Sequence, residues 1–272
     1  PDVPQRIWDH MVGQDLGMPK GEDLPWNRRS RRRFDQAKGL VIHMFSGDTQ
    51  SSKKWTQGWP PGVEVIAVDT STNPLQDVHQ AAVWGYLCHL AATKPIIAVI
   101  GGPPCRSVSR LRNVRPGPVP LRGRYEDRFG LPGLSAADQL KADRDAALVL
   151  KQQGLLWIAE EHRALDSPPV GYLMESPEDP KVVFGEEDAP SFWSWPEVIS
   201  FAERFGLGTV SFDQGMYGHQ QRKPTTCLTN LPLMGHLHGA RCSTNIGEGL
   251  HENLQQRFAQ TASWSSWAPG LK

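Results

Sequence analysis

The sequence predicts an α/β protein with a mostly parallel sheet and helices on both faces. Short apolar runs of strand length alternate with segments whose apolar residues recur at helical spacing. Several of these runs stop at glycine, proline or an acidic residue, as strands entering turns do. The chain has 272 residues, 39% of them hydrophobic, enough for one sizeable core.

The elements follow in order. Residues 1–38 are polar and basic and predict a lead-in or surface segment, with one short helix near IWDHMV. LVIHMF (40–45) runs into SGD and predicts a buried strand ending in a turn. VEVIAV (63–68), closed by Asp69, is the second strand. In residues 76–92, Val78, Ala82, Tyr86 and Leu90 share one helical face. PIIAVIGG (95–102) is the third strand. Residues 110–134, rich in Arg, Pro and Gly, make a loop of a length usually found in functional or disordered segments. Residues 135–165 predict a long helix with Ser135 as N-cap. VGYLME (170–175) is the fourth strand and ends in Glu175. Residues 195–206 carry Pro early and Gly at the end, the usual asymmetry of a helix. Strands at 209–218 and 225–231 complete the set. One domain over 39–232 therefore follows the lead-in, and 233–272 is expected to be a short C-terminal tail.

Composition narrows the function. Twenty-nine basic residues balance 29 acidic ones, so net charge alone points to no polyanion. Its distribution is uneven: RRSRRR fills 28–33, and arginines stand at 106, 110, 112, 115, 122, 124 and 128, so a basic face is expected. Solvated loops are the plainer reading of RRSRRR. The dinucleotide fingerprint and the P-loop pattern are both missing, which disfavours hydride and phosphoryl transfer. Four cysteines without a CxxC pair suggest a reducing, intracellular setting, nuclear in a eukaryote. No membrane partner is expected, because no apolar run reaches the length of a span and no signal-like segment opens the chain. Pro at position 1 suggests a domain of a larger polyprotein.

In a parallel sheet, ligands sit at the carboxyl ends of strands. Those ends bear Phe45-Ser46-Gly47-Asp48, Asp69, Pro103-Pro104-Cys105 and Glu175-Ser176-Pro177. Gly-Gly-Pro-Pro stiffens the approach to Cys105, and nearby arginines favour a thiolate, so Cys105 is a candidate nucleophile. An inert core cysteine is the competing reading. Glu175 is a candidate general acid or a plain loop carboxylate. Asp69 suits the hydroxyls of a ribose. Cys227, His236, His238 and Cys242 have ligand chemistry but irregular spacing, and no metal site is expected.

Taken together, LVIHMFSGD, VIAVDTS, GGPPCRSVS, LMESPEDP and FDQGMYGHQQRKPT resemble, in this order, the blocks of the cytosine-C5 DNA methyltransferase family. The resemblance covers about residues 38–231. It implies a Rossmann-like, S-adenosylmethionine-dependent methyltransferase fold. It also implies methyl transfer to C5 of cytosine in DNA through a covalent Cys105 adduct, on a base flipped from the duplex or already unpaired. Glu175 would hydrogen-bond the ring, and Arg222 would contact base or phosphate. S-adenosylmethionine would be held by Phe45, Ser46, Gly47, Asp69, Asp77 and Pro104. Ser107, Ser109, Arg110, Arg112 and Lys223 would meet the nucleic acid, and the arginine-rich loop would close over the base.

The chain departs from the family in two places. The Gln-x-Arg-x-Arg block falls on Gln221, Lys223 and Thr225, or one residue earlier on Gln220, Arg222 and Pro224. Either register loses one basic position. About 40 residues remain after it, too few for a separate target-recognition domain. The compact form is closer to phage and retroelement-linked members. RNA as substrate, and a catalytically silent nucleic-acid-binding module, are the alternative readings.

Overall fold

In the computed structural model, which describes residues 3–12, 23–47, 59–113, 117–219 and 222–242, six strands form one mixed sheet. Strand β1 (Gly39–Met44) pairs in parallel with β2 (Val63–Val68) on one side and β3 (Ile96–Gly101) on the other. Next to β3 lies β4 (Gly171–Pro177), again parallel. Strand β5 (Gly208–Asp213) forms the far edge. Between β4 and β5 runs β6 (Pro224–Thr229), antiparallel to both. Five strands therefore point one way and β6 the other. The predicted fifth strand stops at Asp213, and a 3-10 turn, Gln214–Tyr217, takes its last residues.

Strand alternation separates two apolar layers. Leu40, Ile42, Met44, Ile66, Val68, Val99, Tyr172 and Met174 face the larger one. Val41, Ala98, Ile100, Leu173, Val210, Phe212 and Cys227 face the smaller. Because β1 is covered on both faces, all six of its residues are buried, hence its continuous apolar run.

The helices are α1 (Gln5–Val12), α2 (Arg28–Gln36), α3 (Ala81–Thr93), α4 (Ala136–Glu161), α5 (Pro180–Phe184) and α6 (Pro196–Phe205). Ser135 caps α4 as expected, its hydroxyl accepting from the Asp138 amide at 3.1 Å. At the end of α6, Gly206 takes a left-handed conformation and its amide reaches back to carbonyls of the last turn.

Helices on both faces are not found among the described residues. The buried apolar side chains of α1, α2, α3 and α6, and most of those of α4, belong to the larger layer. The smaller is covered by the 3-10 helix Pro232–Leu237 and loop residues such as Trp59 and Tyr217. Right-handed crossover geometry explains the asymmetry. The connections β2 to β3, β3 to β4 and β4 to β5 all cross the sheet in one direction, so their helices fall on one side. Of the connections between parallel strands only β1 to β2 travels the other way, and residues 48–58 of that connection lie outside the described residues.

Described residues on either side of 39–232 pack against the sheet and its helices. Helix α1 lies on α4, with Ile7 fully buried and Arg6 Nε donating to Asp143 Oδ1 at 3.0 Å. RRSRRR is helical, started by Asn27, which accepts from the Ser30 amide at 2.9 Å, and anchored by buried Phe34. Residues 233–242 pack along the edge of the sheet. The Gly239 amide donates to Ser211 O at 2.9 Å and the Asp213 amide to Ala240 O at 2.8 Å, so this segment lines the edge of β5. No helix among the described residues is long and apolar enough to cross a membrane.

Candidate active site

Chain order reverses between β1 and β3, which makes their carboxyl ends the topological switch point of the sheet, where α/β proteins bind ligands. Two glycines let the strands and their partners close there. A Cβ on Gly101 would lie 2.4 Å from the Met44 carbonyl oxygen. One on Gly102 would lie 2.8 Å from Glu175 Oε2.

On the β1–β2 side, Phe45 sits at φ 55 and Gly47 at φ 77, a tight turn at a strained residue. Asp69 organises this turn. Its Oδ2 accepts from the Gly47 amide at 2.8 Å and its Oδ1 from Ser71 at 2.7 Å. Thr72 Oγ1 donates to the Gly47 carbonyl at 2.9 Å. Phe45, Ser46, Gly47 and Asp69 are thus gathered in one corner. The Ser46 hydroxyl is buried and meets no hydrogen-bond partner among the described residues. Asp77 is engaged elsewhere: its Oδ2 accepts from Arg144 at 2.9 Å, and its Oδ1 from the His79 amide at 2.9 Å. Asp48 lies outside the described residues.

On the β3–β4 side, Pro103 and Pro104 carry the chain to Cys105, which is partly buried against the larger apolar layer. Glu175, 8% exposed, ends the hydrophobic part of β4. Gln214 Nε2 donates to Glu175 Oε1 at 3.1 Å, and Lys223 Nζ lies 3.7 Å from the same oxygen. Lys223 holds φ 39, a left-handed conformation for a residue other than glycine. Burial pushes the Cys105 thiol up to about 11, the charge of Glu175 adds to the rise, and Lys223 opposes it.

The expectation that arginines beside the thiol favour its thiolate is not met. Arg106 Nε donates to Asp145 Oδ1 at 3.0 Å and Oδ2 at 3.2 Å, and its Nη2 lies 2.8 Å from Oδ1. Asp145 is fully buried on α4 and takes up that charge. Arg222, the candidate for base contact, pairs with buried Asp213 at 2.9 Å, and Lys223 is the cation beside Glu175.

Most of the arginine loop is likewise committed. Arg112 donates to the carbonyls of Arg106 at 2.6 Å and Val119 at 2.8 Å. Arg110 pairs with Glu186 at 2.6 Å and lies over the Phe184 ring. Arg124 chelates Asp179 and Arg128 chelates Glu197. Arg122, 2% exposed, donates to the carbonyls of Arg128 and Ala142. Ser107 is also buried, its hydroxyl without a hydrogen-bond partner in the structure, while Ser109 is partly exposed. Arg115, Gln220 and Gln221 lie outside the described residues.

Sequence reading missed Gln214, Asp145 and Asp213. Gln214 is fully buried and also donates to Thr225 Oγ1 at 3.0 Å. Asp213 accepts from Arg222, from Arg241 at 3.3 Å and from the Cys242 amide at 2.9 Å. A polar Asp-Gln pair directly after an apolar strand was the available signal. The zinc-type residues are employed separately: Cys227 is buried in β6, and His238 Nδ1 accepts from the Ser211 amide at 3.2 Å. No protein-family model matches the chain, and no curated protein does.

Proposed function

We propose that the protein is an S-adenosylmethionine-dependent methyltransferase of Rossmann-like fold that acts on C5 of cytosine in DNA. The observation that carries this reading is the approach of a partly buried thiol to a pinned carboxylate at adjacent strand ends. Gly102 leaves room for Glu175, whose charge is felt at Cys105, and Gln214 and Lys223 hold that carboxylate in place.

The corner at β1 and β2 fits the cofactor. Ser46 offers a buried hydroxyl in need of a partner, and each oxygen of Asp69 keeps a lone pair for a ribose hydroxyl after its backbone contact. When bound, S-adenosylmethionine supplies the methyl group. Cys105 Sγ gives up its proton to water and adds to C6 of the ring, and the electron pair of the C5–C6 bond becomes available at C5. Glu175 holds a proton at N3, which makes C6 more electrophilic and neutralises the charge that develops on the ring as the Sγ–C6 bond forms. After methylation the C5 proton leaves to water, the double bond re-forms, and the Sγ–C6 bond breaks. The raised thiol pKa fits this order, because a ring that engages Glu175 removes one of the charges opposing the thiolate.

DNA containing 5-fluorocytosine tests the reading. With S-adenosylmethionine present, the protein is expected to form an adduct that survives denaturing electrophoresis, and Cys105→Ala to form none. Equal trapping by the variant would remove Cys105 from its role. Tritiated-methyl transfer to DNA and RNA side by side fixes the substrate. Transfer confined to RNA, or no transfer and no cofactor binding by titration calorimetry, would overturn the DNA assignment.

A further inference from the structure

We infer that Asp145 is a positioning residue for the candidate nucleophile: buried on α4, it holds Arg106 in the turn that carries Cys105 and offsets its charge there. The inference rests on Cys105 being the reactive cysteine of the reading above. Three facts carry it.

Asp145 lies fully buried on α4, yet its carboxylate grips a side chain that is 60% exposed, through contacts of 2.8 to 3.2 Å. Taking a carboxylate out of water is costly unless it is paired, so this contact is a built feature of the fold. Arg106 directly follows Cys105 and shares its turn, in which the Val108 amide donates to the Cys105 carbonyl at 3.0 Å. Finally, the Arg106 carbonyl accepts from Arg112 Nε at 2.6 Å, so the backbone after the thiol is held from both sides.

The charged groups around the thiol come from four places. Glu175 acts on it from β4, Lys223 from the turn before β6 and Asp145 from α4, while Arg106, the next residue in its own turn, is paired to Asp145. Asp145 in turn lies in the field of Arg106, Arg112 and Arg122. Glu175 and Asp145 oppose the thiolate and Lys223 supports it, while the charge of Arg106 is offset by its partner. Arg106 and Asp145 are therefore a balanced pair, and removing either member alone unbalances the thiol in opposite senses.

That opposition is the test. The pH dependence of Cys105 alkylation by iodoacetamide, read on its own peptide by mass spectrometry at low salt, needs neither cofactor nor nucleic acid. Asp145→Asn is expected to move the midpoint down by about half a pH unit or less, and Arg106→Gln to move it up by a similar amount. The double variant should return close to the parent, as for a coupled pair. Asp145→Glu should restore the parent midpoint. If loosening of the turn were the whole effect, both single variants would move the midpoint down, toward an exposed thiol. That outcome, or an unmoved midpoint in Arg106→Gln, overturns the inference. Because Arg106 is exposed, that variant keeps the test decisive even if Asp145→Asn does not fold. Should alkylation behave as expected while 5-fluorocytosine DNA is not trapped, the methyl-transfer reading fails and the charge pairing stands.

Discussion

Adjacent glycines in Gly-Gly-Pro-Pro-Cys do different jobs, and single methyl groups separate them. A Cβ on Gly101 would meet the Met44 backbone at 2.4 Å, and backbone inside a sheet cannot step aside. A Cβ on Gly102 would meet the tip of Glu175 at 2.8 Å, a side chain that can rotate but is pinned by Gln214 and Lys223. Gly101→Ala is therefore expected to cost about 3 kcal/mol of stability, as overpacking at a rigid contact does. Gly102→Ala should cost about 1 kcal/mol or less. On the proposed reading it should also lower methyl transfer by about 100-fold, because a misplaced catalytic group weighs far more on rate than on folding. Urea melts and single-turnover rates of the two variants check the split. Equal rate losses at equal stability would show that Glu175 does not need the space at Gly102.

The loop from Val119 to Gly130 is held as an element by its arginines, and its anchor is Arg122. This side chain is buried, lies 5.2 Å from the Trp195 ring, and serves carbonyls of the loop and of α4. Burial lowers its pKa to about 10, the charges of Asp145 and Asp143 oppose the fall, and the group stays a cation at neutral pH. Arg122→Ala would leave those carbonyls unpaired and a cavity beside Trp195, a loss of about 3 kcal/mol. Hydrogen exchange should quicken across residues 121–130. Arg110→Ala, which breaks an exposed pair with Glu186, should change stability by about 0.5 kcal/mol or less. Similar exchange in both variants would remove Arg122 as the anchor.

This contrast also marks what the sequence could disclose. Strands β1, β3 and β4 were legible because parallel strands buried on both faces read as apolar runs, and the site residues stand at their ends. The reversed direction of β6 was not, since an apolar run reads alike in either orientation. Nor was the use of the arginines, whose acidic partners Asp145, Asp179 and Glu197 lie tens of residues away and meet them only after folding. A charge run in sequence therefore overstated the cations left for phosphate. Ile7 was missed because one buried residue in an eight-residue helix leaves no period to detect.

For the whole molecule, acid sensitivity follows from histidine burial near the switch point. His43 is 3% exposed on β1, one residue before its end, and faces the smaller apolar layer. Burial lowers its pKa from 6.5 to about 4, against an opposing pull from Asp69. His79, beside Lys151 and Arg144, is lowered to about 3, also first by burial. The unfolded chain takes up a proton at each histidine near its ordinary value, while the folded chain refuses it until well below. Stability from His43 is thus complete above about pH 6.5 and is lost as pH falls through about 4. Between pH 7 and 4.5 the loss from this one group is about 2 kcal/mol. Urea unfolding at those two pH values should show it in the parent, and His43→Gln, which cannot take up a proton, should show a loss smaller by that amount. Because β1 leads directly into Phe45-Ser46-Gly47, protonation of His43 would disturb the cofactor corner with the sheet, and activity should fall with stability on the same acid limb. If the variant and the parent lose stability equally, the acid limb belongs to the paired carboxylates, and His43 takes its proton without cost to the fold.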